Sequence, residues 1–217
     1  YLILGMADAW PEILDVAAAA SASFSGSGAY GVGDTDKDQL AEWVVTAATA
    51  ISLYGWSGTS ATLIGSFTTA DSAPQIAALG DVNQDGYADW LYSNSANPVL
   101  VYGAVNGSSP VTSTFSGYDG FFAAPGDVDG DNRADILLTD STGLGSLIHE
   151  SDGGSLSTFA TIEGLGGSAS APYISGADLN SDGSDDLLLI PSLAAAEARG
   201  FDAPNFSSGF IAPQSLP

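Results

Sequence analysis

Aspartate-rich segments recur along the chain at nearly equal spacing, and this period constrains the fold more than any other feature of the sequence. The four segments are residues 34–38, 81–85, 127–131 and 178–182. Their first residues lie 47, 46 and 51 positions apart. Another acid follows eight positions after each first aspartate, and a short apolar run begins directly behind it. These runs, at 43–45, 90–92, 136–138 and 187–190, predict buried β-strands.

The repeating unit is predicted to contain three or four short strands, because a second apolar stretch and a Ser/Thr/Phe stretch follow each run. Residues 1–5, 12–15 and 21–24 match the same three stretches without a preceding loop. We therefore expect one all-β repeat domain with five strand sets and four loops. Its units are residues 1–30, 31–77, 78–123, 124–174 and 175–217. The missing first loop and the missing initiator Met lead us to expect a processed or excerpted piece of a longer precursor.

The composition is that of a folded chain, since 45% of its 217 residues are hydrophobic and 13% are charged. The net charge of -23 repels phosphate backbones, which excludes nucleic acid as a partner. No stretch reaches the roughly 18 apolar residues of a membrane helix, so no membrane insertion is expected. The lack of Cys and the single His leave neither thiolate ligands nor an imidazole cluster for a transition metal. The chemistry of the chain must therefore come from its carboxylates.

Each segment opens a nine-residue loop whose oxygen donors stand at alternate positions, a spacing that suits calcium. Calcium takes about six to eight oxygen ligands, here from the side chains at positions 1, 3, 5 and 9 and the carbonyl of position 7. We predict three to four bound calcium ions. In chain order, the predicted ligands are Asp34, Asp36, Asp38, Leu40 and Glu42; Asp81, Asn83, Asp85, Tyr87 and Asp89; Asp127, Asp129, Asp131, Arg133 and Asp135; and Asp178, Asn180, Asp182, Ser184 and Asp186.

Position 6 of each loop must turn the chain around the ion, and Gly or Asn adopts the required positive φ most readily. Gly86, Asn132 and Gly183 stand there, whereas the first loop has Gln39 and is predicted to be the weakest site. The loops are not EF-hands, because the acid needed at position 12 is replaced by an apolar residue in all four copies. The alternative is a set of bare Asx turns. Against it, 14 of the 26 acids occupy ligand positions, where like charges repel unless a cation is bound.

The loops and the strands behind them resemble the FG-GAP repeat of integrin α-subunit β-propellers and their bacterial relatives. Residues 80–91 and 126–138 carry the resemblance, which extends by its period over nearly the whole chain. It implies a β-propeller-like array of four to five blades, each holding a calcium ion between two of its strands. Propellers of this family usually have about seven blades. The chain would then be a small ring, part of a ring, or a piece completed by another subunit.

The function expected from these features is that of an extracellular, calcium-stabilised scaffold for adhesion or for surface or fibre assembly, without enzymatic activity. Its partner would be a protein or a glycan. The apolar residues 1–5 are expected to form a blade strand. The alternative is that this strand is donated to a neighbouring copy, which would allow self-assembly.

Two other functions stay open at this stage. A carbohydrate-binding propeller would use exposed aromatic residues such as Trp10, Trp56, Tyr118 and Phe121, although packing between blades is the preferred interpretation of each. A polysaccharide lyase-like enzyme is the minor alternative, because no acid pair outside the loops has a motif around it. His149 is expected to be a solvent-facing strand residue rather than a catalytic base, and two sequons, at Asn106 and Asn205, are candidate glycosylation sites.

Overall fold

The computed structural model describes residues 2, 20–95, 97–105, 108, 110–150, 154–163, 165, 173–190, 199–201 and 214–215. Every strand or helix assigned within these ranges is a β-strand, so the described chain is all-β as predicted. The described residues contain no helix long and apolar enough to cross a membrane. The predicted strand at 1–5, apart from Leu2, the predicted strand at 12–15 and both sequon asparagines lie outside the described residues.

The strands form four antiparallel sheets, each with four strands in chain order. The first two sheets contain β1 (Gly28–Gly33), β2 (Glu42–Ala47), β3 (Ala50–Trp56), β4 (Ala61–Thr68), β5 (Ile76–Gly80), β6 (Asp89–Tyr92), β7 (Val99–Val101) and β8 (Thr112–Thr114). The last two contain β9 (Phe122–Gly126), β10 (Asp135–Thr139), β11 (Gly145–Glu150), β12 (Leu156–Ile162), β13 (Tyr173–Ala177), β14 (Asp186–Ile190), β15 (Arg199–Phe201) and β16 (Gln214–Ser215).

The aspartate loop connects the first and second strands of every sheet. Position 9 of each loop pairs with the residue in front of position 1, as in Gly80 with Asp89 and Gly126 with Asp135. Each sheet therefore includes a strand ahead of its loop. The predicted unit boundaries at 31, 78, 124 and 175 fall inside these first strands, whose small residues give only a weak apolar pattern.

The apolar runs lie in second strands, and those of β6 and β10 are buried on both faces, which explains why they show no polar alternation. Successive side chains of a strand point to opposite faces. In β6, Trp90 and Tyr92 pack toward the first sheet, whereas Leu91 packs toward the third. In β10, Ile136 and Leu138 pack toward the second sheet. Three buried clusters thus join neighbouring sheets in chain order, and the sheets stack face to face.

The first strands of successive sheets lie beside one another. β1 contacts β5, β5 contacts β9, and β9 contacts β13. At the start of the chain, Leu2 forms an isolated antiparallel bridge with Ala22. Phe24 covers the outer face of the first sheet, where its ring lies 5.7 Å from that of Trp43 and 4.8 Å from that of Tyr54. The loops are consequently carried at one end of adjacent, stacked sheets.

Leu137→Ala should lower the free energy of unfolding by about 2–5 kcal/mol, because Leu137 is fully buried between the third and fourth sheets. Leu63→Ala is the matched control: Leu63 also lies in a strand but is 54% exposed, and its loss should cost about 0.5 kcal/mol or less. Urea unfolding of both variants measures the difference. Equal losses would contradict the stacked arrangement of the sheets.

Candidate metal centres

The aspartate at position 1 folds each loop by accepting two backbone hydrogen bonds. Asp81 Oδ1 accepts from the N–H of Asp85 at 3.1 Å, and Asp81 Oδ2 accepts from the N–H of Gly86 at 2.7 Å. The same pair of bonds is received by Asp34, Asp127 and Asp178. Such bonds from a short side chain to its own turn make the loop a property of local sequence.

The side chains at positions 3 and 5 complete the same turn. The position 3 oxygen accepts from the N–H of position 5 in each loop, with Asp36, Asn83, Asp129 and Asn180 as acceptors. The position 5 oxygen accepts from the N–H of position 7, and the donors are Leu40, Tyr87, Arg133 and Ser184. In all four loops, including the first, the side-chain oxygens predicted as calcium ligands therefore lie around one turn. The role of the position 7 carbonyl stays a prediction.

Two positions of each loop have left-handed backbone. Position 6 has a φ of 73° at Gln39, 85° at Gly86, 65° at Asn132 and 96° at Gly183. The first loop thus adopts the common conformation despite its Gln. Position 4 is also left-handed, with a φ of 59° at Gln84, and the sequence did not indicate this because the four loops share no Gly or Asn there. The other position 4 residues are Lys37, Gly130 and Ser181.

The acid at position 9 is buried at the base of each loop. Glu42 is 1% exposed, Asp89 and Asp135 are 0% exposed, and Asp186 is 2% exposed. One carboxylate oxygen of each accepts from the N–H of the position 2 residue, at 2.6–2.9 Å. This bond ties the start of the loop to the start of the second strand.

Burial raises the pKa of three position 9 carboxyls far above the ordinary range. The pKa of Glu42 rises to about 7, that of Asp89 to about 7 and that of Asp135 to about 8. Loss of water is the largest cause, and the neighbouring loop carboxylates raise the pKa further by charge repulsion. Hydrogen bonds from the backbone oppose the shift only in part.

Two of these buried carboxyls have an oxygen with no hydrogen-bond partner: Glu42 Oε1 and Asp135 Oδ1. The second oxygen of Asp89, by contrast, accepts from the N–H of Gly103 at 2.8 Å. An unpartnered buried oxygen costs free energy, and a bound cation would remove that cost. The orphaned oxygens therefore fit a metal site in the first and third loops.

Acidic clusters that could hold a metal ion lie in the same two loops. In each cluster the candidate ligand atoms are within 4.8 Å of one another. The clusters are Asp34, Asp36 and Glu42; Asp127, Asp129 and Asp131; and Asp129, Asp135 and His149. The second and fourth loops have Asn83 and Asn180 at position 3, where the other loops have a third aspartate. The first loop, predicted to be the weakest, is among the most acidic.

Neighbouring loops are joined by hydrogen bonds that the sequence does not reveal. The N–H at position 8 donates to the position 1 carbonyl of the preceding loop, from Ala88 to Asp34 at 2.9 Å and from Ala134 to Asp81 at 3.2 Å. Position 4 side chains reach the next loop as well. Lys37 Nζ donates to the carbonyl of Asp85 at 2.7 Å. The described loops consequently form a continuous row.

His149 contacts the third loop instead of only facing solvent. It lies in β11, and its Nδ1 is 2.7 Å from Asp129 Oδ2, with 25% of the side chain exposed. The ring also packs 5.1 Å from that of Phe159. The prediction of a strand residue is confirmed, but the prediction of a solvent-facing side chain is wrong. Twenty residues separate His149 from Asp129, so no local motif could have indicated this contact.

Two of the aromatic residues considered for sugar stacking are partly buried and pack against the core. Tyr118 packs against the cluster between the second and third sheets, and Phe121 packs against the cluster between the third and fourth. Trp56 is half-buried at the end of β3, and Trp10 lies outside the described residues.

Comparison of the sequence with protein-family models gave no match, and comparison with curated proteins gave no match either. The FG-GAP resemblance accordingly rests on the loop residues and their period alone.

Gln39→Gly should raise the free energy of unfolding by about 0.5–1 kcal/mol, because Gly adopts the φ of 73° without the strain that a Cβ imposes. Leu40→Gly is the matched control at an adjacent residue that is not left-handed, and it should lower stability by a similar amount. Thermal unfolding of both variants compares them. Destabilisation by Gln39→Gly would contradict the left-handed conformation of this loop.

The metal-free protein should become less stable as the pH rises from about 5 to 8. The folded carboxyls of Glu42, Asp89 and Asp135 have a pKa of about 7 to 8, above the roughly 4 of an unfolded chain. The folded state then binds more protons in this interval, so the free energy of unfolding falls with rising pH. Melting temperatures after metal removal measure the effect, and Asp135→Asn should flatten the curve. A melting temperature that rises over this pH interval would contradict the raised pKa of the buried carboxyls.

Proposed function

We propose that the chain is a calcium-stabilised β-propeller, or part of one, that acts outside the cell as a non-enzymatic scaffold in adhesion or surface assembly. The observation that carries the proposal is the burial of the position 9 acids at the base of four acidic loops of the same construction, two of them with an orphaned oxygen. A cation at each loop would supply the missing partner and offset the repulsion among the acids.

Calcium suits the donor set better than other cations do. The loop side chains offer carboxylate and amide oxygens, which are the ligands of hard cations. Calcium accepts irregular oxygen shells and many ligands, whereas magnesium requires a nearly ideal octahedron. The side chains that would hold calcium are those predicted at positions 1, 3, 5 and 9, and their oxygens already face one turn.

The arrangement of the sheets supports a propeller. The sheets are four-stranded and antiparallel, and their first strands lie side by side, which is the arrangement that blades of a propeller would have. The part of the predicted first unit, residues 1–30, that precedes β1 would lie before the first described sheet. In a ring of this kind the loops would share one face, which agrees with the hydrogen-bonded row they form.

The proposed location and role follow from the charge and from calcium. Weakly binding loops are filled at the calcium concentrations found outside cells. With three Lys and Arg against 26 acids, filled loops would also lower the self-repulsion of the chain. The proposed partner is a protein or a glycan. The lectin-like alternative has lost support from Tyr118 and Phe121, which are partly buried and pack against the core clusters.

Calorimetric titration with calcium should give three to four ions per chain, and calcium should raise the stability by about 2–3 kcal/mol for each well-filled loop. Asp85→Ala should remove one ion, because Asp85 is a position 5 donor of the second loop. Asp119→Asn is the control, since Asp119 is an exposed acid outside the loops that accepts from Ser141. No binding, with equal melting temperatures in calcium and chelator, would refute the proposal.

The adhesive role has a separate test. Beads coated with the chain should adhere to a glycan or matrix-protein array in calcium and detach in chelator, because partner binding requires the calcium-stabilised form. Beads coated with the Asp85→Ala variant serve as the control for a general effect of calcium on the array. If the chain binds calcium but the beads do not adhere, the proposed calcium sites would stand and the proposed adhesive role would be refuted.

A further inference from the structure

The third loop differs from the others because an imidazole faces it. In the register of β10 and β11, His149 stands opposite Asp135, one step beyond the pair Ile136 and Ile148. The corresponding residues of the first and second sheets are Gly55 and Tyr102. Since the chain has one His, no other loop can have this neighbour.

Three side chains from three different segments converge at this place. Asp129 comes from the loop, Asp135 from the start of β10 and His149 from β11, and their candidate ligand atoms lie within 4.8 Å of one another. The side chains of Asp129 and His149 are 19% and 25% exposed, so the group is largely shielded from water.

The unpartnered oxygen of Asp135 points independently to a ligand. Asp135 is 0% exposed, and its Oδ2 accepts from the N–H groups of Val128 and Asp129 at 2.7 and 3.3 Å. Its Oδ1 has no hydrogen-bond partner. A buried oxygen without a hydrogen-bond partner is available to bind a cation.

Asp129 lies closer to His149 than Asp131 does: its Oδ2 is 2.7 Å from His149 Nδ1, whereas Asp131 Oδ2 is 4.0 Å away. Arg133 Nη1 lies 3.5 Å from Asp131 Oδ2 and so partly neutralises that acid. Two carboxylates and one imidazole form a mixed oxygen and nitrogen donor set. Calcium prefers oxygen alone, whereas zinc and its first-row neighbours accept imidazole readily.

We propose that Asp129, Asp135 and His149 form a site for a divalent first-row transition-metal ion, with Zn²⁺ as its representative. Three protein ligands leave a fourth position of a tetrahedral zinc ion for water or a partner. The site shares two acids with the predicted calcium loop, so Zn²⁺ and calcium compete for the third loop alone. The proposal does not require calcium in any loop.

The single His makes the test direct, because the imidazole signals in a proton–nitrogen NMR spectrum belong to one residue. One equivalent of Zn²⁺, added to the whole chain in millimolar calcium, should shift the His149 ring signals and bind in calorimetry with a stoichiometry of one. Added calcium should weaken Zn²⁺ binding but produce no comparable ring shift. Unchanged ring signals at one equivalent of Zn²⁺ would overturn the proposal.

His149→Gln separates a ligand from a residue that merely positions Asp129. Gln keeps a donor for the Asp129 carboxylate but lacks the ring nitrogen, so Zn²⁺ affinity should fall at least tenfold while calcium stoichiometry is retained. Asp119→Asn controls for general attraction of Zn²⁺ to acids and should bind like the original chain. An affinity of His149→Gln within twofold of the original would overturn the proposal. The ring signals of the unmodified chain decide the question even if that variant does not fold.

Discussion

The bond from the position 2 N–H to the buried position 9 carboxylate is the interaction on which each repeat depends. It holds the start of the loop against the start of the second strand, as in Val82 with Asp89 and Val128 with Asp135. The aspartate at position 1 then closes the turn above it. Without this closure the first and second strands would not meet at a fixed register, and the apolar run behind position 9 would not be placed between two sheets.

The same carboxylate links the fold to the candidate chemistry. It is buried because the strand behind it is buried, and burial is what raises its pKa and leaves Glu42 Oε1 and Asp135 Oδ1 without partners. A surface turn with exposed acids would have neither property. The loops therefore differ from ordinary surface turns, because each includes a buried acid at position 9, where the second strand begins.

The repeats are alike in backbone and different in their neighbours. Gln39 and Gly86 adopt the same left-handed conformation, so the irregular first loop is irregular only in sequence. Gly55, Tyr102 and His149 occupy equivalent places opposite position 9, yet only the imidazole adds a nitrogen donor. A small change on a neighbouring strand is enough to alter what one loop can bind.

The sequence by itself determined the strands behind the loops and the all-β class, because these depend on patterns within about ten residues. It could not locate the weak first strands, such as Ile76–Gly80, since their small residues carry little periodic signal. Only the tertiary structure brought His149 to Asp129, joined Ala88 to Asp34 and buried Asp135 with one oxygen unpartnered. These contacts arise from the register of separate strands and the stacking of separate sheets, which no local pattern encodes.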